Sequence, residues 1–256
     1  MSSTLPALAF LAAGTLAFMA LSLGRKGTAE ALRNAKEEWP FILLLLLALG
    51  GKAWTERSMV SAAPPLLLPD AFQLLGEEVS AMQSWLPGEL VFLFSFLYVL
   101  LFPLTLGTAA LWLLSTDRNR FRTYCTSMAI ASIVLLLAHV LMLSTRPALD
   151  PSSGVSPLLY KDNFWGPLSD DLISRGQSFP SGHTTLLTVV ALALRGKGKG
   201  AMVALIILGL NMIGVLYLGL HRPADVVVGL LLGWFSVLSG RYLLRKYEGK
   251  CSNLWR

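Results

Sequence analysis

Seven apolar runs, separated by polar segments, set the pattern of this chain. They are Leu5–Leu23, Pro40–Trp54, Leu90–Ser115, Tyr124–Leu143, Ser181–Leu194, Ala201–Leu220 and Ala224–Gly240. Most approach the roughly 20 residues that carry a helix across a bilayer. They do not alternate apolar and polar residues as the strands of a β-barrel do. The pattern predicts an all-α integral membrane protein with about seven transmembrane helices. Pro103 lies inside the third run and predicts a kink there. Lys52 stands near the end of the second run, where its side chain is expected to snorkel, with Trp39 and Trp54 as interface anchors.

The connections differ in character. The segment 55–89 is long and poor in cations. Within it Phe72, Leu75, Val79, Met82 and Leu86 recur at helical spacing, which predicts an amphipathic helix serving as cover on the membrane surface. The segments 24–39, 116–123, 195–200 and 241–256 are rich in Lys and Arg, whereas 55–89, 144–180 and 221–223 are less so. Seven helices alternate consistently between these two sets. By the positive-inside rule the N-terminus lies outside and the C-terminus in the cytoplasm. The chain divides on this reading into helices over 1–54, a non-cytoplasmic loop over 55–89 and a membrane core over 90–256.

Composition agrees. The 256 residues are 54% hydrophobic and only 14% charged, with mean hydropathy +0.62; soluble domains carry roughly 25% charged residues. The net charge of +6 is the topology signal of a membrane protein, so no nucleic-acid partner is expected. Cys125 and Cys251 both fall at expected cytoplasmic ends and indicate no disulfide framework. The first run has no basic n-region before it and reads as a retained helix.

The candidate chemistry sits at three places on the expected outer face, and these hold all three histidines. At the end of the fourth helix, His139 and Arg146 are about two turns apart, so both are expected on one helical face before Pro147 ends the segment. At the start of the fifth, Ser181 is a good N-cap and Gly182 bares the backbone. Free amides there suit a phosphate-like anion, with His183 on the same turn. At the start of the seventh, His221 and Asp225 are spaced to touch. A carboxylate on one ring nitrogen leaves the other as a directed lone pair. Each place alone also has a plain structural reading as a cap or an interfacial contact. Together they describe phosphoryl transfer: one imidazole attacks phosphorus, a second protonates the departing oxygen, and Arg146 with the helix amides holds the remaining oxygens. No metal or cofactor is required. A zinc site built from the histidines and Asp225 leaves Arg146 and the Ser-Gly pair unexplained.

These strings resemble the type 2 phosphatidic acid phosphatase superfamily of membrane lipid phosphatases and phosphotransferases. Its three motifs are Lys-x6-Arg-Pro, Pro-Ser-Gly-His and Ser-Arg-x5-His-x3-Asp. The second stands intact as Pro180-Ser181-Gly182-His183. The third keeps His221 and Asp225, and the first keeps Arg146-Pro147. The resemblance covers Tyr124–Gly240 and implies a six-helix core, to which the first helix is an addition. It implies His221 as the nucleophile of a phosphohistidine, Asp225 as its partner and His183 as general acid. Arg146, Ser181 and Gly182 would bind phosphate. His139 stands where the family has Lys, and Gly214-Val215 where it has Ser-Arg, so the set of cations is depleted. His139 is expected to take the Lys role and to make activity fall as it deprotonates. Lys161, Arg175 and Arg222 are other candidate cations. The implied substrate is a lipid phosphate or diphosphate of a bacterial inner membrane, met on the periplasmic side. Acyl preference, acceptor and oligomeric state are not legible.

Overall fold

The computed structural model describes residue 14 and residues 24–59, 76–142, 144–150, 153–162, 164–172 and 178–254. The expected first helix, Leu5–Leu23, lies outside the described residues except for Gly14. So do Phe72, Leu75 and Arg175. All regular structure among the described residues is helical. The elements are α1 (Trp39–Met59), α2 (Gly76–Trp85), α3 (Leu90–Thr116), α4 (Arg118–Leu141), α5 (Gly182–Ala193), α6 (Lys199–Tyr217) and α7 (Pro223–Leu254). The segment 24–35 is also helical. By length and composition α3, α4, α6 and the stretch Pro223–Lys246 of α7 can each cross a membrane. Their outward faces expose Ile133, Leu137, Leu205, Leu231 and Trp234, as expected of surfaces solvated by lipid tails.

The short α5 is the centre of the bundle. Leu186, Leu187, Val189, Val190 and Ala191 are buried in the core with Leu113, Met128 and Leu135. Its threonines satisfy themselves within the helix: Thr185 and Thr188 donate to the carbonyls of Ser181 and Thr184 at 2.8 and 2.7 Å. The helix α7 lies directly on it. A Cβ on Gly229 would come within 2.8 Å of the Ser181 carbonyl oxygen. One on Gly233 would come within 2.6 Å of the Thr185 carbonyl. Small residues one turn apart let two backbones approach in a membrane, where packing replaces the hydrophobic drive. This seam sets the second motif against the start of α7.

The helix α3 contains the feature Pro103 foretold, in a more specific form. The stretch Leu97–Leu101 is a π turn, closed by the Phe102 amide on the Leu97 carbonyl. Pro103 has no N–H for the preceding turn and its ring crowds it, so the wider turn relieves both problems.

Several boundaries differ from the pattern. The helix α1 runs to Met59, past the expected end at Trp54, which places Glu56 on a helix and not in the connection. The helix α4 begins at Arg118 and not Tyr124, because Asp117 caps it by accepting from the Arg120 amide at 3.1 Å. Arg118, Arg120 and Arg122 are therefore helical. It also ends at Leu141, so Arg146 does not share a helical face with His139. Arg146 is extended backbone leading into a 3-10 turn at Pro147–Leu149. The helix α7 continues to Leu254 instead of stopping at Gly240; nothing beyond Gly240 breaks it, and Arg, Lys and Leu favour helix. The described part of the amphipathic stretch is α2. Its Val79 is 1% exposed against Ala148 and Val155, and Gln83 bonds the Ser156 and Tyr217 carbonyls at 3.0 and 2.9 Å. It packs on protein through these contacts.

Two polar locks close the end of the bundle away from the histidines. Asp117 accepts from Lys197 at 3.0 Å. Burial pushes its carboxyl up, but Lys197 and the Arg120 amide outweigh this and hold it below the ordinary carboxylate range. A lowered folded-state pKa means that this lock contributes stability above the unfolded carboxyl value and loses it as pH falls through the folded one. The second lock is Glu38, fully buried, which accepts from Arg118 at 2.7 Å and from Arg122 at 2.8 Å. It joins the start of α1 to the start of α4. Glu38→Ala removes the buried carboxylate that Arg118 and Arg122 share, leaving Arg118 its contact with Glu37 at 2.7 Å, and is expected to cost about 2 kcal/mol. Thermal unfolding in detergent, compared with the parent, measures it.

Candidate active site

The residues that carry chemistry meet at the opposite end. Asp225 is the hub. It is the third residue of α7, and its Oδ2 accepts from the Arg222 amide at 2.8 Å, a cap on the helix start. The same oxygen accepts from the Ser178 hydroxyl and lies 3.4 Å from His221 Nδ1. That last contact is long for a hydrogen bond, a common state of catalytic pairs without substrate. Asp225 thus caps the helix start and stands beside the His221 ring at once. His221 itself precedes the helix, in a turn where its amide and that of Leu220 bond the Val215 carbonyl. Burial holds the His221 ring below the ordinary imidazole range, against the opposing pull of the Asp225 carboxylate. The ring is thus kept neutral, as a nucleophilic nitrogen needs.

The second motif is pinned to the third through backbone. The Ser181 amide donates to the Asp225 carbonyl at 3.0 Å. The Phe179-Pro180 peptide is cis. Ser181 caps α5 as expected, but it is fully buried and its hydroxyl contacts Thr184, Oγ to Oγ1, at 3.0 Å. The partly open positions of this turn are Gly182 and His183. The His183 ring packs on Tyr98 at 4.0 Å, nearly parallel, and on Phe102 at 3.9 Å. Both partners come from the π turn of α3 or its edge, so that irregularity positions the imidazole. Arg146 is 5% exposed and donates to the Tyr160 hydroxyl. Lys52 and Arg146 both lie near enough for their charges to act on His183.

The cations expected to fill the depleted positions are placed differently. His139 has both ring nitrogens engaged: Nδ1 with Glu56 Oε1, and Nε2 with the Pro180 carbonyl at 3.1 Å. It braces the second motif from behind. Arg222 donates to the Thr145 carbonyl at 2.9 Å and lies 3.8 Å from Asp150, bracing the loop that carries Arg146. Lys161 is exposed at the end of the short helix Leu158–Lys161. The place of the missing Ser-Arg is filled by packing. A Cβ on Gly214 would meet Phe94 at 2.8 Å, and Val215 is fully buried among apolar side chains. Among the described residues, no three His, Cys, Asp or Glu side chains group as a metal set.

Residues 120–248 match the family model of the PAP2 superfamily, which is half of the chain and contains all three strings. The chain belongs to the PAP2 superfamily. Its fold is also similar to the crystal structure of Aquifex aeolicus LpxE, with a TM-score of 0.51 and 19% identity. That likeness covers 68% of this chain and 99% of the other. No curated protein matches the chain.

Membership in the PAP2 superfamily does not reach every residue at this site. Lys52 and Glu56 of α1, with Tyr98 and Phe102 of α3, lie before the matched region. Lys52 Nζ is 2.7 Å from Glu56 Oε1, and the two side chains are only 14% and 13% exposed. Lys52 is therefore turned inward and does not snorkel. The i, i+4 spacing of Lys52 and Glu56 was visible in the sequence; their connection to His139, 83 positions beyond Glu56, was not.

Proposed function

We propose that this PAP2 protein is a membrane lipid phosphatase or phosphotransferase that works through a phosphohistidine. The observation that carries the proposal is the convergence on Asp225: its carboxylate faces His221 and its carbonyl holds the Ser181 amide. Nucleophile and anion cradle thereby share one fixed frame. With Nδ1 turned to Asp225, His221 attacks phosphorus through Nε2. The P–O bond to the lipid breaks, and His183 gives its proton to the departing oxygen. Water, or a lipid hydroxyl in a transferase, then attacks the phosphohistidine and returns a proton to His183. Arg146 and the amides of the Gly182 turn hold the equatorial oxygens.

The positive-inside distribution supports a site on the periplasmic or extracellular side of a bacterial inner membrane, with the C-terminus cytoplasmic. Isoprenyl diphosphates, phosphatidylglycerol phosphate, phosphatidate and lipid A phosphates all offer the required group. The deciding experiment measures phosphate release and phosphate transfer by the purified protein across that panel, with His221→Ala as control. Turnover by the parent and none by the variant supports the enzyme. No turnover by the parent across the panel supports a lipid phosphate-binding relative or membrane partner instead, a reading that the lost motif cations favour.

The role of His183 has its own signature. A general acid matters in proportion to how badly the leaving group needs a proton. His183→Ala is expected to lose about 10²- to 10³-fold in kcat/KM, which reads the steps through departure of the leaving group, with a lipid phosphate. With p-nitrophenyl phosphate, whose leaving group departs as a stable anion, the loss falls below about tenfold. Equal losses on both substrates would count against the assignment.

A further inference from the structure

We infer that Lys52 of α1, a residue outside the PAP2-matched region, is the phosphate-holding cation of this site. The inference rests on the proposed phosphoryl-transfer reading and names the group that replaces the missing first-motif lysine. Three observations converge. The Nζ of Lys52 is 3.7 Å from the point where a Cβ on Gly182 would sit, so the ammonium lies over the bare turn of the second motif. Its side chain is 14% exposed, deep enough for its charge to act across a poorly solvated gap. Its charge is near enough to act on His183, as that of Arg146 is.

The charge of Lys52 is not used up by its neighbour. Glu56 accepts from Lys52 at 2.7 Å and also pairs with His139 Nδ1. His139 Nε2 in turn faces the Pro180 carbonyl at 3.1 Å. The Glu56 carboxylate is thus shared between Lys52 and His139. An ammonium has three N–H donors, and Glu56 takes one of them. The others are available to a phosphoryl oxygen above Gly182. Glu56 and His139 act as positioning residues: they fix the ammonium and tie it to the second motif through Pro180.

The test uses the purified full chain and inorganic orthovanadate, a phosphate mimic whose binding is read by calorimetry without turnover. Lys52→Met is expected to weaken orthovanadate by about 10- to 100-fold, the scale of one charge-assisted hydrogen bond. Lys52→Arg is expected to stay within about fivefold of the parent. The deciding variant is Lys52→Met combined with Glu56→Gln, which removes the carboxylate that a purely structural Lys52 would only neutralise. If Lys52 holds phosphate, the double variant binds as poorly as Lys52→Met. If it binds orthovanadate like the parent or like Glu56→Gln alone, the inference is overturned. A parent that binds no orthovanadate overturns it as well. A parent that binds it through Lys52 but releases no phosphate from any lipid sinks the enzymatic reading and leaves the cation assignment standing.

Discussion

His221→Ala is expected to abolish turnover of every lipid phosphate, by at least ~10⁴-fold in kcat, or more than about 5 kcal/mol of barrier. The argument is geometric. The ring is held in a turn between α6 and α7, with one nitrogen facing Asp225 and burial keeping it neutral. No other described imidazole has that arrangement: His139 is engaged at both nitrogens, and His183 is held by ring packing on Tyr98 and Phe102. The Ser178 and Arg222 bonds to the Asp225 carboxylate do not run through the His221 ring, so removing the ring leaves them in place. The variant is therefore expected to fold. Rapid quench of the parent should trap a phosphoenzyme that is stable in alkali and labile in acid, the behaviour of a P–N bond. A phosphoenzyme that survives in His221→Ala would exclude this nucleophile.

Asp225→Asn is expected to lower kcat by about 10³-fold while leaving the fold intact. Here the amide separates two jobs that one carboxylate performs. The Ser178 hydroxyl and the Arg222 amide are both donors to Oδ2, and an Asn carbonyl can accept from both. What the amide cannot supply is the negative charge that fixes the His221 tautomer and stabilises it once phosphorylated. Asp225→Ala loses both jobs and leaves buried donors unsatisfied, so it is expected to cost about 2–3 kcal/mol of stability as well. Thermal unfolding and kcat measured side by side distinguish the variants. An Asn variant within tenfold of the parent would make Asp225 a cap and nothing more.

The parts of this site that could be read from sequence are those written in short strings. Pro180–His183 and His221–Asp225 each place their groups through one helix start, and helix starts have local rules: Ser181 caps, Pro223 opens a first turn, Asp225 reaches back to the preceding amides. Lys52 had no such string. Its partner Glu56 was hidden by an early helix end at Trp54, and the contact that extends α1 is with His139, far along the chain. Arg146 was legible as a residue but not as a position, because nothing local shows that α4 stops at Leu141. The cap at Asp117 was available and would have placed α4 correctly; the cluster of arginines after it reads more readily as a loop. Gly214 and Val215 look like lost site residues in the sequence, and only their packing beneath Phe94 and among apolar side chains shows what occupies that place instead.

The glycine seam between α5 and α7 has a mechanical consequence. At Gly229 and Gly233 the α7 backbone presses on α5 carbonyls and on the short side chains of Thr184, Thr185 and Thr188, which have little room to repack, so these two helices form a single stiff beam. His183 stands at the end of one half of it and Asp225 at the end of the other. Any breathing that lets a bulky headgroup in or its product out must come from the walls that are not part of the beam. Those are α1, held to it through Lys52, Glu56 and His139, and α3, held through the rings of Tyr98 and Phe102.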